Sequence, residues 1–489
     1  MPLLSLLLAI PAIGALSIAF MDPQHTRLIR GAATATATAT LLLSLWLLAG
    51  FDTGEAGLQY AELRSWNPEL GSFYALGVDG LSLPMVLLSA LLSLIALLAS
   101  YSLTNRVKGY HVCLLMLEFG MLGVFMAQDW ALFYVFWEVT LIPLFFLIDQ
   151  WGGKGRHTAS LNFVLYTMGG SVFMLISLLM IYGSSAGHST AMASMTQAAM
   201  ALPREQQVLV FLGLLIGFGV KMPTFPLHGW LPLAHVEAPS PVSILLSGVL
   251  LKMGAYGLFR ATGMLPQAAT ALQSLLAALA LVSIVYGGLL AWRQSDLKAM
   301  IAYSSISHMG IVLLGLSTLN TTGLMGASLQ MTAHGLVAGS LFLLIGLLYE
   351  RTHTREIADY GSLAQVTPRF AFFATLTLLA SLGLPGLVGF TAEIHALIGG
   401  FQRWGWWTVL VSVAVLVSAA YAVRTIVRLF TGPVKPSMRE LRDLHGTELA
   451  AAGTLAFGIV ALGLIPAPLL DLIGTSVTTL SAGLPQQTF

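Results

Sequence analysis

Six ionisable side chains stand in stretches of this sequence that are otherwise strongly apolar: Glu138, Lys221, Lys252, His308, His334 and Glu393. On an insertion scale, a lysine at the middle of a membrane helix costs roughly 2.5–3.5 kcal/mol. Lys221 and Lys252 fall within one stretch, Gly217 to Tyr256, so that cost is met twice there. Carboxylates, amines and imidazoles share one chemistry, the uptake and release of a proton. A buried lysine loses proton affinity through desolvation and regains it beside a carboxylate. An imidazole changes charge near neutral pH. The six are therefore candidates for a proton relay. The plainer reading makes each a packing device, with Glu138 a buried partner for a lysine and each histidine a satisfied core residue. Four buried charges, Glu138, Lys221, Lys252 and Glu393, would cost on the order of 10 kcal/mol on the same scale. A scaffold has small residues available for that purpose instead.

The elements that position these groups are unusual in matching ways. Lys221 follows the apolar run Val208 to Val220, and Pro223 and Pro226 then remove amide donors and break the helix. Non-helical backbone at membrane depth is tolerated only where it is buried in protein or lines a water-filled cavity. A second break, Leu384-Pro385-Gly386, precedes Glu393. Paired broken helices in two halves of a chain point to a transporter site built from inverted repeats. The run Asp296 to Gly310 carries Tyr303, Ser304, Ser305 and Ser307 around His308, hydroxyls that can hold water or bond across helices, and Gln330 accompanies His334. His228 and His235, near Glu237, are expected at the surface or along a path into the chain, and no metal site is expected. Asp79 is expected to cap the helix that follows it, and Glu118 is a further, shallower buried carboxylate.

The composition fixes the class. Of 489 residues, 57% are hydrophobic and only 9% charged, against about 25% charged in soluble proteins. Spans need roughly 20 apolar residues, and about 14 such windows occur on the hydropathy criterion. The expected fold is an all-α integral membrane protein of about 14 transmembrane helices. Within it, spans 4–8 and 9–13 form two inverted five-helix repeats, and spans 7 and 12 are broken. The units expected are 1–110 (spans 1–3 with an outer loop, 51–78), 111–262 and 263–431 (the two repeats), and 432–489 (a cytoplasmic connection and span 14). The N-terminal apolar run lacks the basic flank of a signal peptide and is expected to remain as the first span. Lys and Arg collect in the connections after odd-numbered spans, which places those connections in the cytoplasm and both termini on the outer or lumenal side. A single cysteine, Cys113, excludes an internal disulfide. No Rossmann glycine pattern, cysteine cluster or Walker sequence is present, so no cofactor is expected in this chain. Nothing resembles a nucleic-acid surface.

In order along the chain, Trp137-Glu138 with Pro143, Lys221-Met222-Pro223, His228-Gly229-Trp230-Leu231-Pro232, Leu250-Leu251-Lys252, Asp296 to Gly310, Gln330 to Gly335 and Leu384-Pro385-Gly386 form a set. This set resembles the antiporter-like proton-channel subunits of respiratory complex I, a superfamily that also includes subunits of multisubunit sodium/proton antiporters and of membrane-bound hydrogenases. Similarity is closest to the subunit M, or subunit 4, type, whose ionisable residue in the twelfth span is a glutamate, here Glu393. Leu233 departs from the aspartate that many members carry after Trp-Leu-Pro.

The resemblance implies a pump without redox chemistry of its own, within an NAD(P)H- or ferredoxin-dependent quinone or plastoquinone oxidoreductase. It makes Glu138 and Lys221 a charge-switching pair, Lys252 the central relay, His308 and His334 the link between half-channels, and Glu393 the exit residue. The partners it implies are the other membrane subunits of the complex, including two related antiporter-like subunits, together with lipids, protons and water. The host is an energy-coupling membrane, bacterial inner or thylakoid. The same motifs leave open a subunit of a multisubunit sodium/proton antiporter, or the form specialised for carbon dioxide uptake in photosynthetic complexes.

Overall fold

The structure is a computed structural model and describes residues 2–185 and 187–485; the last four residues of the 432–489 unit lie outside the described residues. Each of the expected apolar windows is met by helix. The first three spans are α1 (Leu3–Ala19), α2 (Thr26–Ala49) and α3 (Leu83–Leu98). The loop between α2 and α3 folds as an antiparallel hairpin, β1 (Gln59–Asn67) and β2 (Ser72–Val78), with Leu63 opposite Ala75.

The first five-helix unit begins with α4 (Val107–Met126), and its second span is split into α5 (Trp130–Val139) and α6 (Leu141–Trp151). It continues with α7 (Arg156–Ser184), a short α8 (Met192–Ala201), and a broken span made of α9 (Arg204–Lys221) and α10 (Trp230–Glu237). The last span joins α11 (Ser240–Leu245) to α12 (Leu251–Met264) through one π-helical turn, Leu246–Leu250, and a short α13 (Pro266–Ala271) follows.

The second unit repeats the order with α14 (Gln273–Arg293), α15 (Leu297–Thr318) and α16 (Thr321–Thr352). A short α17 (Leu363–Val366) then leads into the broken span, α18 (Pro368–Ser381) with α19 (Val388–Trp404), and α20 (Val409–Phe430) ends the unit. In both units the fourth span is the broken one, and five spans per unit invert the second unit relative to the first. α21 (Gly446–Leu464) crosses once more, and α22 (Ala467–Ala482) is a helix that no apolar window announced.

The two ends of the bundle differ. At the hairpin end, the Leu4 amide donates to Glu62 at 2.8 Å, Phe73 N–H donates to Asp129 at 3.1 Å, and Gly80 N–H donates to Ser476 at 2.9 Å, so β1, β2, α1, α5 and α22 are tied together. The opposite, basic end carries the connections richest in Lys and Arg. There Arg351 pairs with Glu448 at 2.5 Å and Arg355 with Asp296 at 3.0 Å.

The core runs along α16. It is apolar on every face and fully buried over its most hydrophobic window, as a helix surrounded by other helices must be. At 1.5 Å per residue its 32 residues span about 48 Å, long enough to place Gln330 and His334 at mid-depth. Exposed leucines and valines on α7 and α20, such as Leu165 and Leu416, face outward, as lipid-facing surfaces do.

Candidate functional site

The first break leaves Lys221 as the last helical residue of α9, at mid-depth and buried. The chain then turns through residues 222–229, and the carbonyl of Val220, deprived of its helical partner, accepts the Trp230 indole N–H at 2.9 Å. This explains why tryptophan stands just beyond the prolines: it satisfies the backbone that they orphan. The Lys221 ammonium donates to Thr140 Oγ1 at 2.9 Å and lies 4.4 Å from the centroid of the Trp137 ring. Trp137 is itself fixed by its indole N–H, which donates to Ser171 at 3.0 Å. No ion pair joins Lys221 to Glu138 among the described residues; the attraction between them acts across a gap. Glu138 is only partly buried, with Tyr134 one turn earlier on the same helix, and its Oε1 has no hydrogen-bond partner among the described residues.

The remaining four groups are contiguous. The π-helical turn Leu246–Leu250 displaces the backbone so that the Ser247 carbonyl accepts the Lys252 ammonium at 2.6 Å. Such single turns recur at functional sites. Lys252 Nζ also lies 2.6 Å from His334 Nδ1. An ammonium can only donate, so Nδ1 is the acceptor and the proton of a neutral His334 resides on Nε2, an atom without a partner among the described residues. The rings of His334 and His308 are 5.4 Å apart. His308 Nδ1 stands between the Gln330 amide at 3.3 Å and Glu393 Oε1 at 3.5 Å. When neutral, that nitrogen can accept from Gln330; when protonated, it donates to Glu393.

Glu393 owes its position to the second break. Gly383 has φ +75, and a Cβ there would lie 2.5 Å from Glu393 Oε2. Glycine suits the positive φ, and any Cβ there would have to push the Glu393 carboxylate aside. The first break meets α12 in a similar way: a Cβ on Gly254 would lie 2.4 Å from the Phe218 carbonyl oxygen, so the segments bearing Lys221 and Lys252 pack backbone to backbone.

Several placements differ from what the sequence suggested. His228 and His235 are not surface residues: they are 7% and 0% exposed, because α10 folds back into the bundle on Trp230 and Leu231 instead of forming a loose connection. Glu237 turns away from them, its carboxylate accepting the Gly155 N–H at 2.8 Å. Asp79 does accept from the amides of Leu81 and Ser82, and it also pairs with Arg260 at 2.7 Å. Glu118 is fully buried, and neither carboxylate oxygen has a partner among the described residues.

Other polar groups at the site went unassigned from sequence. Thr140 holds Lys221, Ser247 bonds Ser305 at 3.0 Å, and Tyr421 is buried facing Ser304, Ser381 and Ser418 near Glu393. The available signal for the second was the small pair Ser247-Gly248 five residues before a buried lysine. For Tyr421 it was one hydroxyl among the valines and alanines of α20.

Residues 127–418 match the model of the family described as NADH:quinone oxidoreductase/Mrp antiporter, TM. The chain is 40% identical to NADH-quinone oxidoreductase subunit M of Rhodobacter capsulatus, over 98% of its own length and 96% of that protein. It is also 40% identical to NAD(P)H-quinone oxidoreductase chain 4 1 of Synechococcus sp. (strain JA-2-3B'a(2-13)), over 95% of its length and 90% of the relative. A chain in the structure of respiratory complex I from Thermus thermophilus with bound NADH superposes with a TM-score of 0.90 at 32% identity, covering 99% of this chain and all of that one. With its broken spans, buried lysines and histidine pair in place, this integral membrane protein belongs to the NADH:quinone oxidoreductase/Mrp antiporter transmembrane family.

Proposed function

We propose that the chain is a proton-translocating membrane subunit of a complex I-type NAD(P)H- or ferredoxin:quinone oxidoreductase, with no redox chemistry of its own. The observation that carries this reading is the unbroken file Lys252, His334, His308, Glu393, in which each group lies within one side chain of the next. Each imidazole has one nitrogen engaged and one open. His334 takes a proton from Lys252 at Nδ1 as its Nε2 proton leaves. With its proton on Nδ1, facing Glu393, a neutral His308 takes one at Nε2 and delivers the other from Nδ1 to that carboxylate. One passage leaves each ring in its other tautomer, so a ring flip or a proton exchange at each histidine resets the file before the next proton. Lys221, held by Thr140, is the upstream store, and a shift in Glu138 changes how well its charge is compensated.

In this reading the basic end faces the cytoplasm, the hairpin end and both termini face the outer or lumenal side, and the host is a bacterial inner or thylakoid membrane. Residues 111–262 and 263–431 are the two functional halves, flanked by 1–110 and 432–489. Its neighbours are other membrane subunits, including two related antiporter-like chains. The test is reconstitution of the parent complex in vesicles with native chain or Lys221→Ala. Loss of both pumping and turnover with assembly intact supports a coupled proton path. Unchanged assembly, turnover and proton stoichiometry would reduce Lys221 and the broken span that carries it to a packing device.

A further inference from the structure

At the hairpin end, the surface of the second five-helix unit holds two adjoining spaces of opposite character. One, a cavity of about 370 Å³, is lined among others by Gln273, Thr318, Asn320, Thr321, Arg403 and Ser481. The other, a groove of about 260 Å³, is lined mainly by apolar side chains, among them Ala277, Ala278, Leu281, Trp404 and Trp407, together with Thr408. The chain passes directly from one to the other, from Gln273 to Ser274 and from Arg403 to Trp404, so the groove continues the cavity along the bundle. Arg403 is the only charged residue lining the cavity among the described residues. Its guanidinium donates to Gln273 Oε1 at 2.6 Å and lies 5.2 Å from the centroid of the Trp404 ring, and Gln273 in turn donates to the Thr318 carbonyl at 3.0 Å. Thr321 opens α16 there, and the start of a 32-residue helix favours an anion as well. The planar fork of arginine matches phosphate oxygens.

The groove asks for a different chemistry. Ser274, Ala277, Ala278 and Leu281 recur at i, i+3, i+4 and i+7, one face of α14, and the two alanines leave a channel between that helix and Trp407 and Val411. Two donors lie in its wall without acceptors among the described residues: the Trp404 indole N–H and the hydroxyl of Thr408, a residue only 5% exposed. A buried donor left unpaired is costly, and an apolar chain alone does not relieve that cost; a ligand that carries both a chain and an acceptor does. Trp406 and Trp407, 80% and 76% exposed on the turn Gly405–Thr408, fix the depth, because tryptophans gather where hydrocarbon meets headgroups. The cavity therefore stands at headgroup level, and the groove at the level of the uppermost acyl carbons.

We infer that cavity and groove together bind one phospholipid of the leaflet at the hairpin end. The phosphate sits at Arg403, an ester carbonyl accepts from Trp404 or Thr408, and one acyl chain lies along Ala277, Ala278 and Leu281. Charge and shape select this occupant: a free phosphate leaves the groove unused, a neutral diacylglycerol gains nothing from the guanidinium, and an apolar helix of a neighbouring subunit brings no phosphate to it. The lipid joins α14 to the turn between α19 and α20. It uses none of the relay residues, so it stands or falls apart from the pump reading.

The test uses the full parent complex in vesicles of phosphatidylethanolamine and phosphatidylglycerol, doped with phosphatidylglycerol that carries a diazirine on one acyl chain. One sample is irradiated in the vesicles and a second after the complex has been washed in detergent, and the labelled residues of this chain are mapped by mass spectrometry. The site predicts label on residues 274–281 and 404–411 in both samples, whereas label on the outward side of α7, around Leu165 and Val172, disappears on washing. Arg403→Gln is expected to lower the retained label about tenfold, the effect of losing one charge-assisted hydrogen bond. Ala278→Phe, which fills the groove without touching the arginine, is expected to lower it as much, with native labelling of α7 in the vesicles showing that the fold is intact. A diacylglycerol carrying the same diazirine is expected to label the groove about tenfold less than the phospholipid. Groove label that washes away as completely as that on α7, or none in the vesicles because a neighbouring subunit covers the face, would overturn the site. So would retained label as strong for diacylglycerol as for phospholipid, or unchanged in an assembled Arg403→Gln complex.

Discussion

Lys252 and His334, eighty-two positions apart in sequence, are joined by a 2.6 Å contact from an ammonium to an imidazole nitrogen. The contact exists because a π-helical turn precedes α12 and the middle of α16, where His334 stands, is buried. Replacing His334 by Gln keeps a polar side chain but removes the second nitrogen that passes the proton on. Turnover coupled to proton uptake is expected to fall by at least about tenfold, equivalent to ~1.4 kcal/mol on the barrier. Quinone reduction and proton uptake measured in the same vesicles check this, and native values for both would count against a relay through His334.

Gly383 and Gly405 allow backbone strain to be separated from displacement of the carboxylate. Both have positive φ, +75 and +57, but a Cβ at 383 would meet Glu393 Oε2 whereas one at 405 would meet nothing within 4 Å. Alanine at 383 costs about 1–2 kcal/mol for its positive φ, and at 405, where φ is 57 and ψ is −135, in the mirror-β region that glycine alone populates readily, the backbone cost is at least as large. Similar losses of thermal stability are therefore expected for Gly383→Ala and Gly405→Ala, with proton pumping impaired only in the former. Equal pumping by the two variants would mean that the position of Glu393 is not critical.

Thr140 is the acceptor that holds Lys221. Thr140→Val keeps the shape and removes the acceptor, leaving a buried amine short of a partner at a cost of about 1–3 kcal/mol, whereas Thr140→Ser keeps the hydroxyl. The valine variant should unfold at lower temperature and pump poorly, and the serine variant should behave close to native. A thermal melt of the purified complex together with a proton-uptake assay distinguishes them, and a valine variant equal to the serine one would remove Thr140 from the site.

The sequence made the spans, both breaks and the six ionisable residues legible for one physical reason. Proline and charge are conspicuous against apolar sequence, and a lysine at membrane depth is too costly to be incidental. What it hid depends on three dimensions. Lys221 and Glu138 read as a direct pair, yet Thr140 takes the ammonium and Glu138 stands off. His235 read as a residue of a connection because α10 is only eight residues long; its burial follows from the packing of α10 against the second unit. The π-helical turn leaves no residue type of its own, only small residues before the lysine. The hairpin Gln59–Val78 was hidden because its alternation is weak: β1 is mostly exposed and gains its partners from α1 and β2.

The most direct test of the relay is at its end, where Glu393 meets His308 at 3.5 Å. Glu393→Gln preserves shape and hydrogen bonding but cannot take up a proton. The measurement is proton uptake per electron pair in vesicles containing the assembled parent complex. A lower ratio or a stalled turnover in Glu393→Gln, with the complex intact, is the result expected if protons leave the file through this carboxylate. An assembled complex with native turnover and native stoichiometry would contradict the account.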